Sequence, residues 1–426
     1  MENGKQQQRE TTNQSPNRHI GLDWWFVLLQ EKNQKQQIKS ETPPPPPQNQ
    51  NQQPAKKRNI PAQYSKKPMG QVPPLLSSCY LNNIRNDWHV IIEFKDEELK
   101  LLRQQPIANG SILYMVCNMD DIVEMKCENG QLISDTQLTH CSYRLQPQLK
   151  ADEDKALCRY QLYRVGYNIH CRDQDYFFTT YSVCFDHRQM RSVFTISEAY
   201  PFVQGRPFGM QFDPDEIFTM NIFSAYNKRS IYAKFQSRLG FQQSFMSSNE
   251  QNRRFDRGHL TAAGDFMTNT LIASTFKMIN VIPQFHAIND GNWRLMEEWA
   301  RNPANTPSKV CSGAFDYVLT LPNDAGNEIP IYFGNNDLIP VPLWTFKVVL
   351  DRNGVRTVFV QYNNIHDQRV PPQLPGNICK TVSCPTSLYL TPSNYLGYTY
   401  CCDQDDFMNR IAHVSGVLNV STFVRI

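Results

Sequence analysis

The chain has 426 residues, with 43 Lys and Arg against 40 Asp and Glu and a formal net charge of +3. That near balance excludes a globally basic, histone-like binder, and a hydrophobic fraction of 40% with an aromatic fraction of 12% excludes a wholly disordered chain. No apolar run approaches the roughly 18 residues needed to span a bilayer, so no membrane span is expected.

Residues 1–70 carry 11 basic and 5 acidic residues and no cysteine, a net of +6; the rest carries 32 basic and 35 acidic residues, a net of −3, and all 12 cysteines. The first part reads as a disordered, Gln/Pro-rich basic tail. Gln6-Gln7-Gln8, Gln36-Gln37 and the run from Pro43 to Pro47 are low in complexity. Lys56-Lys57-Arg58 and Lys66-Lys67 are read as scattered charge on a solvated linker, with a nuclear address or a weak nucleic-acid contact as the alternative. Residues 24–29 (WWFVLL) are too short for a signal-peptide core, and no small-residue cleavage site follows closely. A short partner-binding motif and a remnant of a buried signal both remain open there.

Residues 75–186 are expected to form a β-rich, cysteine-containing accessory domain. Residues 88–94 (WHVIIEF) and 111–117 (SILYMVC) have strand character. Asn109-Gly110 and Asn129-Gly130 are turn signals. The polar stretch 150–155 is read as a loop, and His170 beside Cys171 as structural. From residue 190 the pattern alternates: apolar segments at 193–196 and 201–203, a short helix within 266–276, a buried strand at 277–283 and a helix over 289–303. Strands at 341–350 and 356–362 and a last helix over 405–414 complete it. Short strands alternating with short helices predict a mixed α+β domain over 190–426.

The cysteines are Cys79, Cys117, Cys127, Cys141, Cys158, Cys171, Cys184, Cys311, Cys379, Cys384, Cys401 and Cys402. An even and dense set points to disulfides and an oxidising compartment. Structural zinc requires close pairs, and no CxxC occurs. A secreted or lumenal location is therefore expected, with a mitochondrial or nuclear one as the alternative because no clear export signal is readable.

Two segments carry chemistry. One is Phe255-Asp256-Arg257-Gly258-His259-Leu260. The other runs from Pro283-Gln284 through Asn289 and Trp293 to Glu297 and Arg301. On a regular helix beginning at Asn289, at about 100° per residue, Asn289, Glu297 and Arg301 fall on one side and Leu295, Met296 and Trp299 on the other. By itself that is an ordinary amphipathic helix. Together with Asp256-Arg257-Gly258-His259 it resembles the DNA/RNA non-specific endonucleases, the ββα-metal group, whose DRGH segment is followed by a Pro-Gln step, an Asn opening a helix, a Trp, a Glu and an Arg. The resemblance spans 190–426. It implies a central antiparallel sheet flanked by helices.

The resemblance also implies a mechanism. His259 is the general base, suited by an unperturbed pKa near 6.5. Asn289 is the direct ligand of Mg²⁺, with Mn²⁺ able to substitute, because a side-chain carbonyl is a hard donor. Glu297 orients the waters around that ion, and Arg301 pairs with phosphate oxygens through its planar fork. Arg257 is either a phosphate contact or an internal partner of Asp256. Arg229 is the candidate for an upstream substrate-binding arginine, in competition with Arg238, Arg253 and Arg254. His286 is read as structural, with a second metal ligand as the alternative. The implied reaction is metal-dependent, sequence-non-specific cleavage of DNA and RNA to 5′-phosphate products, with a homodimer as the implied assembly. The rival reading is a catalytically silent relative that captures nucleic acid.

Overall fold

The structure, a computed structural model, describes residues 78–81, 90–95, 98–103, 105–117, 121–134, 145–153, 157–171, 173–201, 210–218 and 221–415. The expected tail, its WWFVLL patch and basic clusters, and most of the apolar segment 201–203 lie outside these residues. All described residues fall in one contact-defined unit, 72–426.

The first strands are β1 (Val90–Lys95), β2 (Glu98–Leu101), β3 (Ile112–Val116), β4 (Ile122–Glu128) and β5 (Gln131–Ile133), forming an antiparallel sheet in the order β2-β1-β3-β4-β5. Asn129 and Gly130 make the β4–β5 turn with φ of 51° and 82°. Two successive positive φ values are what a tight hairpin turn demands, and Asn-Gly supplies them at least cost.

A nine-stranded sheet follows. Its strands are β6 (Gln148–Asp152), β7 (Gln161–Cys171), β8 (Gln174–Asp186), β9 (Arg191–Ala199), β12 (Ser308–Ala314), β17 (Trp344–Leu350), β18 (Arg356–Tyr362), β19 (Thr381–Val382) and β20 (Thr399–Cys402). They lie in the order β19-β20-β18-β17-β12-β9-β8-β7-β6, every pairing antiparallel. Part of the stretch read as a loop at 150–155 is strand β6. No break falls between 186 and 190, where a change of domain was expected. That point is a tight hairpin, in which Asp186 Oδ1 accepts from the backbone N–H groups of Arg188 and Gln189 and Met190 takes φ 47°. The change of composition there coincides with a hairpin between two paired strands of one sheet.

Between β9 and β12 come α1 (Ile222–Ala225), α2 (Lys228–Leu239), β10 (Phe255–His259), α3 (Asn269–Ser274), β11 (Val281–Phe285), α4 (His286–Ile288) and α5 (Arg294–Ala300). β10 and β11 pair antiparallel, with Asp256 opposite Gln284 and His259 opposite Val281. This pair and the helical run after it are the ββα unit. Two small hairpins, β13 (Thr320–Pro322) with β14 (Glu328–Pro330) and β15 (Tyr332–Phe333) with β16 (Ile339–Pro340), precede β17, and α6 (Gln404–Ser415) ends the fold.

Strand alternation divides the large sheet's two faces. Phe346, Val348, Val358 and Val360 pack with Phe407, Met408 and Ile411 of α6. Val310, Val349 and Phe359 pack with Trp293, Met296 and Ala300 of the helical run. The ββα unit is thus pressed onto one face of the sheet. Among the described residues no helix is long and apolar enough to cross a membrane.

Candidate active site and metal-binding cleft

The helical run is not the regular helix that the sequence suggests. Residues Asn289–Trp293 form a π-type turn, and Gly291 leaves helical geometry at φ −92°, ψ −126°. The cause is a loop crossing at this point: a Cβ on residue 291 would stand 2.6 Å from the Leu396 carbonyl oxygen. That same carbonyl accepts from Asn292 N–H at 2.9 Å. Asn292 then closes the joint with its side chain, donating to the carbonyls of Thr391 and Gly397 at 2.9 and 2.8 Å and accepting from Thr391 N–H at 3.0 Å.

Trp293 is buried between the run and the sheet. Its Nε1–H donates to the His259 carbonyl at 3.2 Å, which ties the end of β10 to the helix. The chain leaving His259 is held by Asn280, whose side chain accepts from Thr261 N–H and donates to the Thr261 and Thr275 carbonyls. The His259 ring lies 5.3 Å from Phe212 and 5.0 Å from Phe276, centroid to centroid. The Pro-Gln step is structural. Gln284 is fully buried and donates to Gln361, and Asn363 donates to the Pro283 carbonyl.

These elements frame a cleft of about 450 Å³ whose lining includes Asp256, His259, Asn289, Glu297 and Arg301. Four of the predicted residues therefore share one cavity although 42 positions separate the first from the last. Asn289 donates its Nδ2–H to Asp256 Oδ2 at 3.0 Å. With the nitrogen end of the amide so committed, its carbonyl oxygen is the end left for a ligand. His286, expected to be structural, donates Nδ1–H to the same Asp256 oxygen at 2.7 Å.

Below the cleft, Arg301 and Glu297 meet two further buried charges, Asp265 and Lys347, that were not among the expected site residues. Arg301 donates to buried Asp265 at 3.1 Å and stands 3.9 Å from Glu297. Gly264 makes room for it, since a Cβ there would come within 2.8 Å of the guanidinium carbon. Lys347 on β17 is fully buried, donates to Ser312 on β12 at 2.6 Å, and lies 4.3 Å from the Trp293 ring centre. Burial pushes Glu297 up to about 7, against the opposing pull of Lys347 and Arg301. Burial also raises Asp265 and lowers Lys347. Asp265 gave no signal in the sequence. Lys347 did: a lysine in the middle of an apolar strand run is rare unless paired.

The two remaining arginines lie elsewhere. Arg257 is not in the cleft lining. Its guanidinium packs 5.2 Å from Phe212, 5.7 Å from Tyr226 and 5.9 Å from Phe223, where burial lowers its pKa. Arg229 is exposed in the first turn of α2 and also outside the lining. Of its competitors, Arg238 pairs with Asp337 and Arg253 with Glu250.

Among the described residues no three His, Cys, Asp or Glu side chains are placed to hold a metal ion by themselves. The cleft instead offers one hard amide oxygen, with carboxylates at Asp256, Asp290, Glu297 and Glu298 around it. That donor set suits a largely hydrated Mg²⁺, which keeps several of its waters.

The family model for DNA/RNA non-specific endonuclease matches residues 159–407. The chain belongs to that family. A salivary endonuclease of Lutzomyia longipalpis is 27% identical over 261 residues, 59% of this chain and 61% of the relative. Mitochondrial endonuclease G of Caenorhabditis elegans is 31% identical over 123 residues, 28% of this chain and 40% of the relative. The chain thus covers less than two thirds of the length of either. A crystal structure of the EndoG/EndoGI complex aligns with 58% of this chain and 84% of that chain, at 18% identity and a TM-score of 0.31, a likeness too loose to bear on the chemistry.

Proposed function

We propose that the protein is a metal-dependent, sequence-non-specific endonuclease that hydrolyses phosphodiester bonds of DNA and RNA and leaves 5′-phosphates. The observation that carries this reading is the single cleft shared by His259, Asn289, Glu297 and Arg301, with the Asn289 amide held nitrogen-inward by Asp256. Names of relatives such as "salivary endonuclease" and "endonuclease G" support the same class.

Asn289 Oδ1 would hold Mg²⁺ or Mn²⁺, which supplies positive charge for the phosphate and the departing oxygen. His259 takes the proton of the attacking water, and the P–O3′ bond breaks as the new P–O bond forms. Glu297 accepts hydrogen bonds from water in the cleft. Arg301, already oriented by Asp265, turns part of its fork to the phosphate. Arg257 is proposed as a further phosphate contact beside the cleft, its position set by three aromatic rings. For Arg229 the surroundings offer nothing that supports the role expected of it. DNA and RNA are the proposed partners, and light scattering would test for the homodimer.

Disulfides Cys79–Cys127, Cys158–Cys184, Cys379–Cys402 and Cys384–Cys401 support a secretory route for the chain.

Plasmid nicking tests the assignment. The parent should cut with Mg²⁺ and stop with chelator. His259→Ala should cut about 10³-fold more slowly, the size of a lost general base. Cleavage by His259→Ala at near the parent rate would overturn the mechanism, and a shifted but uncut band from the parent would favour the silent relative.

A further inference from the structure

A metal held by one side-chain amide depends on which end of that amide faces the ion. Rotation of the Asn289 amide by 180° would present two N–H groups to a cation in place of a carbonyl oxygen. Asp256 prevents this by accepting Asn289 Nδ2–H at 3.0 Å. Asp256, however, is itself a rotatable side chain on the cleft wall. What holds its Oδ2 in place is His286, whose Nδ1–H reaches that oxygen at 2.7 Å. With Nδ1 donating, His286 Nε2 is an acceptor, and it receives the Gln251 side-chain amide at 2.7 Å. The His286 backbone is fixed as well, since its N–H donates to the Arg254 carbonyl at 2.9 Å. The chain of bonds therefore runs from Gln251 to His286 to Asp256, where Asn289 meets it.

We propose that His286 is a positioning residue for the metal site: by pinning the Asp256 carboxylate it fixes the Asn289 amide with its carbonyl oxygen toward the cation. His286 does not touch the ion or the substrate in this arrangement. Its role is that of the outer-shell partners of metal ligands, which set ligand orientation and basicity and whose loss weakens metal binding by about 10- to 100-fold. Gln251 is the outermost member of the chain and the weakest, since it is exposed.

This inference rests on the reading of Asn289 as the metal ligand, so the test separates the two. Mn²⁺ binding to the full-length protein is measured by calorimetry or by loss of the free-ion spin-resonance signal, with no nucleic acid present. Asn289→Ala should abolish binding, and retained binding there would sink the ligand assignment itself. His286→Ala should bind Mn²⁺ about tenfold more weakly than the parent. His286→Asn, which can supply an amide N–H where Nδ1–H stood, should recover affinity to within about threefold of the parent. His286→Ala binding within twofold of the parent, or His286→Asn no tighter than His286→Ala, would overturn the inference. Should His286→Ala fail to fold, Gln251→Ala at the exposed end reads the same chain: a loss of about threefold supports it, and unchanged affinity counts against it.

Discussion

At the scale of single residues, Glu297 is a cleft carboxylate whose ionised form is disfavoured by its burial. Burial raises it to about 7, from the usual carboxylate range near 4.3. The sign follows from that direction. An acid whose folded pKa lies above its unfolded one stabilises the native state at low pH, and this contribution fades as pH rises from about 4.5 through about 7. In chelator, Glu297→Gln should therefore match the parent at about pH 4 and exceed it at about pH 8 by about 1–3 kcal/mol, a range reduced because the carboxylate is partly exposed. Urea melts at the two pH values check this, and an equal difference at both would remove Glu297 as the cause. Residue type and order singled out His259, Asn289, Glu297 and Arg301 in the sequence, and the fold brings these four into one cleft. Asp265 and the Asp256–His286 contact were not legible, and Lys347 only as a lysine out of place in an apolar run, its partner unknown. Their partners lie 36, 35 and 30 positions away, and only the fold brings them together.

At the scale of elements, the helical run from His286 to Ala300 shows how far a pattern can carry. Of the apolar side that the spacing predicts, Met296 is buried against the sheet and Trp299 packs beside it half-buried, while Leu295 stays outside that cluster. Its regularity fails at Gly291, because the loop carrying Leu396 passes too close for any side chain, a contact over 100 residues away that no local rule contains. Asn292 is the rivet of that crossing. Asn292→Ala would strip partners from two backbone carbonyls and one N–H, at a cost of about 2–4 kcal/mol for groups that are mostly buried. A denaturant midpoint corresponding to less than 1 kcal/mol would show that the loop is held by something else. Strands fared better than the run: β18 falls at residues 356–362, where a strand is expected. The part of the expected loop at 150–152 was misjudged because a polar edge strand such as β6 has little buried face to reveal it.

At the scale of the whole molecule, one sheet of nine strands binds segments that composition separates. Strands β6 to β8 precede the expected boundary near residue 190, yet β8 pairs with β9 across it, and the family match begins at residue 159. The cysteines follow the same logic. Cys158–Cys184 fastens the segment before β7 to β8, and Cys379–Cys402 and Cys384–Cys401 fasten two points of a long loop to β20, the strand next to β18. The last two bridges close short spans, 23 and 17 residues, and each is expected to contribute about 3 kcal/mol by restricting the unfolded chain. The loop they restrain continues into the segment that crosses Gly291, so loosening it should reach the cleft. Cys384→Ser with Cys401→Ser should lower stability by about 2–4 kcal/mol in urea melts while leaving Cys379–Cys402 intact. Plasmid cleavage well below the melting range should fall in the same variant if the bridge steadies the Asn292 joint. Full cleavage by a clearly destabilised double variant would show that the bridge serves stability alone and that the crossing at Gly291 holds without it.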